Sequence, residues 1–420
     1  MHDFDYKDGR LCCGDVPLAD IAQAVGTPFY CYSLPTLRRH IQAFEEPLAG
    51  VEHQTCFAMK ANANLAVVSV MARHGLGADV VSGGELYLAL RAGIPASKIV
   101  YSGVGKTDSE IDMALSAGIM MFNIESGEEL EVINARAGVM GKRAPIAIRV
   151  NPDVDPRTHP YISTGMQKNK FGIALEASLE QYLKAKEMPH VEIVGIDCHI
   201  GSQLTEVEPF IDAVERLKVL IERLSRHGIS FRYLDLGGGL GITYANEEPP
   251  HPSAYARAIL EAVGGLGLKL VFEPGRVIVG NTGVLVTRVQ YRKQTPKKTF
   301  IIVDAGMNDL IRPALYDAWH DIKPEQMRAR DTEQVDVVGP ICESSDFLAR
   351  DRVLPVFSRG DLMAVMSAGA YGFTMSSTYN ARPRPAEVMV DESRYFVVTQ
   401  RQRYEDLLSG QHVPEEIMGR

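Results

Sequence analysis

The residues most suited to covalent chemistry begin with a lysine at the end of an apolar run. Residues 55–62 read TCFAMKAN, which places Lys60 where a chain leaving a sheet would turn. A lysine at a strand end is usually a solvated edge residue, and that is the plain alternative. In a largely apolar pocket, however, the pKa of the amine falls and the amine can attack an aldehyde. Lys60 is therefore a candidate Schiff-base lysine.

A glycine cluster is a candidate phosphate cradle. Residues 237–241 read GGGLG, and the backbone amides of Gly238 and Gly239 can approach a phosphate because no Cβ intervenes. Gly275 and Arg276 add possible donors from the next loop. Taken alone, the cluster is equally consistent with a tight turn. It gains weight because it follows the seventh of eight apolar runs, with Lys60 after the first.

Glu273 and His199 are the two groups that can face a pyridine ring. A carboxylate such as Glu273 keeps a ring nitrogen protonated, so that the ring draws off the electron pair released at the substrate Cα. The structural alternative for Glu273 is a salt bridge to Arg276. His199 can stack on the ring as a neutral imidazole. No second His or Cys stands at ligand spacing around it, so we expect no metal. Together with Lys60, these groups predict a site for pyridoxal 5'-phosphate.

Eight apolar runs alternate with segments of helical periodicity and must position these groups. The runs lie at residues 55–60, 78–82, 99–102, 121–125, 146–151, 193–200, 233–236 and 269–273. Strands that are apolar on both faces and alternate with helices predict an α/β fold, a (β/α)8 TIM-type barrel. An open doubly wound sheet is the alternative, although such sheets seldom reach eight uninterrupted units. Ser82 and Thr107 are expected to cap helices.

Reactive groups of parallel barrels gather at the C-terminal ends of the strands. Lys60 ends the first predicted strand, Asp79 follows the second and Arg149 lies in the fifth. His199 closes the sixth, and Glu273 follows the eighth. The predicted fold therefore brings the candidate residues to one end of the barrel.

The length of the chain predicts a second domain, as does the change after residue 281 from alternating strands and helices to short β-type segments. A chain of 420 residues is too long for one ordinary core, and beyond residue 281 short β-type segments are joined by Gly, Pro and Asp turns. Only residues 309–320 look helical in that half. We expect an N-terminal segment, 1–27, that packs with the β domain, a barrel at 28–280, and a β-rich, sandwich-like or barrel-like domain at 281–420.

The composition limits the function classes. Hydrophobic residues make up 45% and charged residues 23%, as in a globular protein, and the net charge of −9 argues against a nucleic-acid partner. No apolar stretch reaches membrane-spanning length and no signal peptide is evident, so we expect a cytoplasmic protein. The six cysteines form no C-x-x-C pair, and most are expected to be buried thiols. Cys342, followed by ESSD, is instead a candidate accessible thiol, although a small buried hydrophobe is the common alternative.

Several longer motifs carry a family resemblance. FAMKAN at 57–62, HIGSQ at 199–203, GGGLG at 237–241 and EPGR at 273–276 resemble those of the barrel-type pyridoxal-phosphate decarboxylases. Within that group, residues 158–165, 308–316, 342–346, 369–372 and 379–385 resemble the diaminopimelate decarboxylase family. The match runs from about residue 28 to 385.

The resemblance implies a role for each matching residue. Lys60 would hold the cofactor, His199 would stack on its ring, and Glu273 would pair with its nitrogen. Cys342 would return a proton to Cα and would come from the partner subunit of a homodimer, which places the active sites at the interface. The residues around the phosphate or the neighbouring substrate would be Ser202, Gly239, Gly275, Arg276 and Tyr371. Those at the far end of the substrate would be Arg276, Arg312, Tyr316, Glu343 and Tyr371.

The far-end residues also suggest a substrate. Two arginines and Glu343 suit a distal group that is itself an amino acid, since its carboxylate takes a guanidinium and its ammonium takes a carboxylate. Ornithine or lysine offers only the ammonium. Meso-2,6-diaminopimelate fits, and the resemblance implies its decarboxylation to L-lysine and CO2, the last step of lysine biosynthesis.

Three alternatives remain open. Another basic amino acid could be the substrate, or the same scaffold could carry a racemase, although Glu273 argues against the weak electron sink that favours racemization. A non-catalytic pyridoxal-phosphate carrier would need Lys60 and the glycines but neither Cys342 nor Arg312.

Residues 159–170 are a candidate lid over the site, with an ordinary surface loop as the alternative.

Overall fold

The computed structural model describes residues 2–155, 170–329 and 331–418. The chain divides into two compact units, of which one comprises Leu37–Gly280 and the other combines Met1–Thr36 with Asn281–Arg420. Most of the candidate lid, at 159–169, lies outside the described residues. Among the helices that are described, none is both long and apolar enough to cross a membrane.

The N-terminal residues contribute a small antiparallel sheet, a helix and one long-range strand. The sheet consists of three short strands, of which β2 pairs with both others. The bounds are β1 Phe4–Lys7, β2 Arg10–Cys13, β3 Val16–Pro17, α1 Leu18–Val25, β4 Phe29–Ser33 and α2 Leu34–Glu45.

The unit at Leu37–Gly280 contains a closed barrel of eight parallel strands, as the sequence predicts. The barrel strands are β5 His53–Ala58, β6 Gly77–Val80, β7 Ile99–Tyr101, β8 Met121–Ile124, β9 Ala144–Asn151, β11 Val191–Asp197, β12 Tyr233–Asp235 and β13 Lys269–Phe272. Each strand pairs in parallel with the next, and β13 pairs with β5 to close the ring. The short strand β10, Ile173–Ala174, pairs with β9.

Helices follow the barrel strands, and two of their starts carry the predicted caps. Ser82 Oγ accepts the Glu85 N–H at 3.2 Å, and Thr107 and Glu110 form a reciprocal capping box. The helices are α3 Leu65–Arg73, α4 Gly83–Arg91, α5 Asp108–Ala117, α6 Gly127–Val139, α7 Leu175–Lys186, α8 Glu208–Arg226, α9 Pro252–Ala262 and α10 Arg276–Val279.

Inside the barrel, the side chains change from apolar to polar within two residues along the strands. Buried apolar side chains form one layer: Cys56, Val100, Met121, Ala147, Val194 and Val271. Two residues further along four of these segments, on the same face, stand buried polar side chains: Ser102, Asn123, Arg149 and Glu273. The apolar layer therefore supports a polar layer at the C-terminal end of the barrel.

The second unit is rich in β-strands. They are β14 Gly283–Gln294, β15 Thr299–Val303, β16 Ile322–Pro324, β17 Thr332–Val338, β18 Phe347–Pro355, β19 Leu362–Val365, β20 Ala386–Asp391 and β21 Arg394–Thr399. They form a sheet in the order β18-β17-β15-β14-β4-β20-β21, and β19 joins β14 to β16. Two short helices, α11 Arg312–Tyr316 and α12 Glu415–Met418, lie between or after them.

Strand β4 corrects the predicted start of the barrel. The sequence places residue 28 at the beginning of the barrel, because residues 28–32 are apolar and a βα repeat follows. In the structure β4 pairs with β14 and β20, so residues 28–36 belong to the β-rich unit. Tyr30 and Tyr32 face one apolar cluster of that unit, whereas Phe29 and Cys31 face another. A strand buried on both faces looks the same in sequence whichever sheet it joins.

Candidate active site

Lys60 lies next to a buried carboxylate. The sequence predicts that Lys60 ends the first barrel strand, but in the structure Lys60 lies in a short 3-10 turn at Met59–Ala61 that follows β5. Asp79, which is expected to follow the second strand, lies inside β6. The Lys60 Nζ contacts Asp79 Oδ2. The Lys60 side chain is 36% exposed and Asp79 is fully buried. The Lys60 side chain is thus partly accessible to a ligand, and its amine contacts a buried carboxyl group.

His199 is held by the glycine cluster. The Gly238 N–H donates to His199 Nδ1 at 3.2 Å, and an added Cβ at Gly237 would lie 2.7 Å from the same nitrogen. Because Nδ1 accepts, the ring proton belongs on Nε2. Burial, and then the charges of Arg149 and Lys60, lower the pKa of His199 well below 6.5. His199 is therefore a neutral imidazole with a fixed orientation.

Each glycine of the predicted cradle makes a close backbone approach. A Cβ added to Gly238 would lie 2.2 Å from the Glu273 carbonyl oxygen. A Cβ added to Gly239, where φ is +119°, would lie 2.6 Å from the Gly201 carbonyl oxygen. An added Cβ at Gly275 would meet the Ala61 and Ala58 side chains at 3.0 and 3.1 Å. Gly238 and Gly239 let the loops after β11, β12 and β13 converge, and Gly275 lets the loop after β13 approach the turn after β5. The Gly238 amide is already bonded to His199, so this residue acts on the site through the imidazole.

Arg276 lies at the start of α10 and is nearly buried. Its Nη1 donates to Tyr244 Oη at 2.7 Å and its Nη2 donates to Ser202 Oγ at 3.0 Å. Both of these contacts differ from the Arg276–Glu273 salt bridge that is the structural alternative for Glu273. Ser202 and Arg276 instead form one polar group beside the glycine loops.

Glu273 is part of a buried acidic layer. Its Oε1 accepts from Ser102 Oγ at 3.4 Å and from Asn123 Nδ2 at 3.5 Å. Burial, followed by the charges of Asp235 and Asp79, raises the pKa of Glu273 well above its usual value. Burial and the Asp197 charge raise the pKa of Asp235 to about 8. A carboxyl group in this setting gains from a cationic partner, as a protonated pyridine nitrogen would be.

The predicted far-end residues lie in the β-rich unit. Arg312 begins α11, is buried, and its Nη1 donates to His320 Nε2 at 2.7 Å. The other nitrogen of His320 lies 2.8 Å from the Met366 carbonyl oxygen, which fixes the ring and hence the guanidinium. Tyr316 ends the same short helix. Tyr371 has φ +55°, a conformation that costs a non-glycine residue about 1–3 kcal/mol and is concentrated at functional sites.

Cys342 and Glu343 lie on an exposed loop of the same unit. Cys342 is exposed, whereas Cys12, Cys13, Cys31, Cys56 and Cys198 are buried, as expected. Its N–H donates to Asn380 Oδ1 at 2.8 Å. The Asp346 carboxylate accepts the Met307 and Ile341 N–H groups, both at 2.6 Å. The thiol is accessible on a loop whose backbone is held from both sides.

The predicted site residues fall into two sets, one in the barrel unit and one in the β-rich unit. The first contains Lys60, His199, Ser202, Gly238, Gly239, Glu273, Gly275 and Arg276. The second contains Arg312, Tyr316, Cys342, Glu343 and Tyr371. Sequence reasoning missed Asn123, Asp235, Tyr244 and His320. For Asn123 and Asp235 a signal was available, since each is a polar residue inside an apolar strand.

We expect His199→Phe to change how stability depends on pH. Because the pKa of His199 is lowered in the folded protein, the unfolded chain binds a proton at this residue where the folded chain does not. The free energy of unfolding therefore falls as the pH drops below about 6.5, by at most about 1.4 kcal/mol per pH unit. The phenylalanine variant keeps a flat ring but lacks this loss.

Chemical denaturation of both cofactor-free proteins between about pH 5.5 and about pH 7.5 measures the difference. The wild type should lose stability relative to the variant on acidification. A difference that is independent of pH, or that reverses, would mean that His199 accepts a proton in the folded protein.

Comparison with known proteins places the chain among characterised families. A family model described as "Pyridoxal-dependent decarboxylase, pyridoxal binding domain" matches residues 34–280. The chain is 53% identical over 411 residues to the diaminopimelate decarboxylase of Pseudomonas aeruginosa. The aligned region covers 98% of this chain and 99% of that protein.

Two solved structures are similar over almost the whole chain. The diaminopimelate decarboxylase of Helicobacter pylori complexed with L-lysine superposes with a TM-score of 0.90 at 42% identity, over 96% of this chain and 100% of that one. The diaminopimelate decarboxylase of M. jannaschii in complex with L-lysine gives a TM-score of 0.93 at 39% identity, over 99% and 100% of the two chains.

Proposed function

This chain belongs to the diaminopimelate decarboxylase family of pyridoxal-dependent decarboxylases, and from that premise we propose that it releases CO2 from meso-2,6-diaminopimelate to give L-lysine. Its cofactor is pyridoxal 5'-phosphate. When bound, this cofactor supplies an aldehyde for an amine and a ring that accepts the electron pair left behind when CO2 departs.

The observation that carries the proposal is the environment of Lys60. An accessible amine beside the buried Asp79 carboxylate, with one carboxylate oxygen of Asp79 lacking a hydrogen-bond partner among the described residues, fits a lysine that holds an aldehyde cofactor. His199, neutral and fixed by Gly238, presents a flat ring. Glu273 gains a cationic partner when it faces a protonated ring nitrogen.

A phosphate group fits the polar group formed by the converging loops. Arg276 supplies a guanidinium and Ser202 a hydroxyl, and the two already contact each other. Gly239 and Gly275 lie in the converging loops, and in our proposal their backbone amides donate to the phosphate. The family resemblance also assigns Tyr371 to the phosphate or to the substrate next to it.

The family resemblance assigns the substrate's far end to Arg312, Tyr316 and Glu343, together with Arg276 and Tyr371. The buried Arg312 guanidinium, oriented by His320, suits a carboxylate. The exposed Glu343 carboxylate suits an ammonium. Diaminopimelate carries both groups at its distal carbon, whereas ornithine and lysine carry only the ammonium.

Measuring CO2 release from a panel of diamino acids tests the function. The cofactor-loaded enzyme should release CO2 from meso-diaminopimelate and produce L-lysine, with far less release from lysine or ornithine. Faster release from lysine or ornithine would favour a decarboxylase for another basic amino acid. Conversion to another stereoisomer without release of CO2, detected by chiral chromatography, would indicate a racemase, and no reaction in the presence of bound cofactor would indicate a carrier.

We expect Arg312→Ala to reduce turnover of meso-diaminopimelate about tenfold to a hundredfold, because a charge-assisted hydrogen bond to a carboxylate is lost. The affinity for the cofactor should remain close to that of the wild type. Steady-state kinetics and a cofactor titration measure the two effects separately. Arg292→Ala is the matched control, since that arginine pairs with Glu333 on the surface. Equal loss of turnover and cofactor affinity in Arg312→Ala would show that Arg312 is wrongly assigned.

We also propose a homodimer in which Cys342 of one subunit serves the Lys60 site of the other. The exposed thiol on a held loop is what such an arrangement needs. Cys342 would deliver the proton to Cα after CO2 leaves, and Lys60 would hold the cofactor.

A further inference from the structure

Asn123 occupies the centre of the polar layer in the barrel. It lies on β8 and is fully buried. Its Nδ2 lies 3.1 Å from Asp235 Oδ2, 3.3 Å from Ser102 Oγ and 3.5 Å from Glu273 Oε1. Ser102 Oγ in turn donates to Glu273 Oε1 at 3.4 Å. A single amide group therefore reaches Glu273 both directly and through a hydroxyl, while it also holds Asp235.

The backbone at Asn123 is anchored. Its backbone carbonyl oxygen accepts from Lys106 Nζ at 2.8 Å, and Lys106 is itself paired with Glu129 at 2.5 Å. In the structure the NH2 group faces Asp235 and Glu273 and donates to them.

The surroundings of Glu273 are crowded with acidic groups. Asp79 on β6, Asp197 on β11 and Asp235 on β12 all act on its charge, and the cations that oppose them are Lys60 and Arg149. Both cations already have carboxylate partners, Asp79 for Lys60 and Glu125 for Arg149. Neighbouring carboxyl groups in such a setting share protons unless donors hold them apart.

We propose that Asn123 is a positioning residue for Glu273, whose donated hydrogen bonds keep the Glu273 carboxylate separate from Asp235 and able to pair with the protonated ring nitrogen of pyridoxal 5'-phosphate. This inference rests on the proposed function. Asn123 does not act on the substrate; it determines the state in which Glu273 meets the cofactor.

The test compares cofactor binding by Asn123→Leu and wild type as a function of pH. Leucine keeps the volume and removes the donors. Titration of each cofactor-free protein with pyridoxal 5'-phosphate, followed by absorption and by mass after borohydride reduction, gives the dissociation constant. We expect binding to weaken about tenfold or more. The ratio of variant to wild type should grow from about pH 6.5 to about pH 8.5, because Asp235 ionises in that range and then faces Glu273 with no donor between them.

The controls separate positioning from packing. Asn134→Leu removes an amide that accepts the His190 N–H elsewhere in the barrel unit, and it should bind the cofactor as the wild type does at every pH. A dissociation constant for Asn123→Leu that matches the wild type, or a loss that is the same at all pH values, overturns the inference. If Asn123→Leu does not fold, Ser102→Ala replaces it and should show a smaller loss with the same pH trend; a wild-type profile for Ser102→Ala overturns the inference. Failure of the wild type to bind the cofactor at all would instead overturn the proposed function, and the inference with it.

Discussion

Lys60→Ala should leave a folded protein that no longer holds pyridoxal 5'-phosphate covalently. Without the amine beside Asp79, the aldehyde has no attachment point in the barrel unit. We expect the loss in turnover to exceed the roughly 10⁴-fold limit of a single proton-transfer group, because attachment and orientation are both lost. Borohydride reduction followed by mass spectrometry, together with CO2 release, measures the two effects.

Lys184→Ala is a matched control for this experiment. That lysine is exposed and paired with Glu131 on the surface, so its loss should leave both measurements unchanged. Cofactor trapped at another lysine of the Lys60→Ala protein, with turnover retained, would remove the basis for every role assigned to the barrel residues.

Cys342→Ala should lower turnover by about 10²–10⁴-fold, the usual contribution of a proton donor, and leave cofactor attachment intact. Ser344→Ala, an exposed change on the same loop, should have little effect. When Lys60→Ala and Cys342→Ala chains exchange subunits, each mixed dimer regains one complete site. Random exchange of equal amounts should therefore restore about a quarter of the wild-type activity.

The mixing result depends on verified exchange. Mass spectrometry of the intact dimers, with one chain isotopically labelled, reports the fraction of mixed dimers. Activity that stays at the level of the inactive parents although mixed dimers form would show that Cys342 and Lys60 of the same chain act together.

The sequence predicted the barrel because its signals are local and repeated. Apolar runs of strand length, the caps at Ser82 and Thr107, and the helical periods between them recur many times, and one misplaced boundary does not change the fold. The prediction failed at β4, whose partners β14 and β20 are distant in sequence. Nothing in a short run with two buried faces indicates which sheet it will join.

The candidate site likewise combines features that the sequence indicates with features that only the structure shows. Lys60, His199 and the glycines could be predicted because their residue types are unusual at strand ends and each suggests a chemistry. Asn123 could be noticed as a polar residue inside an apolar strand. Its contact with Asp235 and the contact of Tyr244 with Arg276 could not be predicted, since both depend on distances between segments that are far apart in the chain. The Lys60–Asp79 contact also required the structure, because only the register of β5 against β6 shows that the two residues meet.

The pairing of β4 with strands from the far end of the chain has a consequence for biosynthesis. Ser33 at the end of β4 and Gly283 at the start of β14 are 250 positions apart. At roughly 5–20 residues per second, a ribosome needs roughly 12 to 50 seconds to make that stretch. During that interval the barrel sequence emerges in full, while the apolar β4 segment has no partner strand. The nascent chain thus exposes an apolar N-terminal segment through most of translation. We expect a ribosome-associated chaperone to bind to this segment.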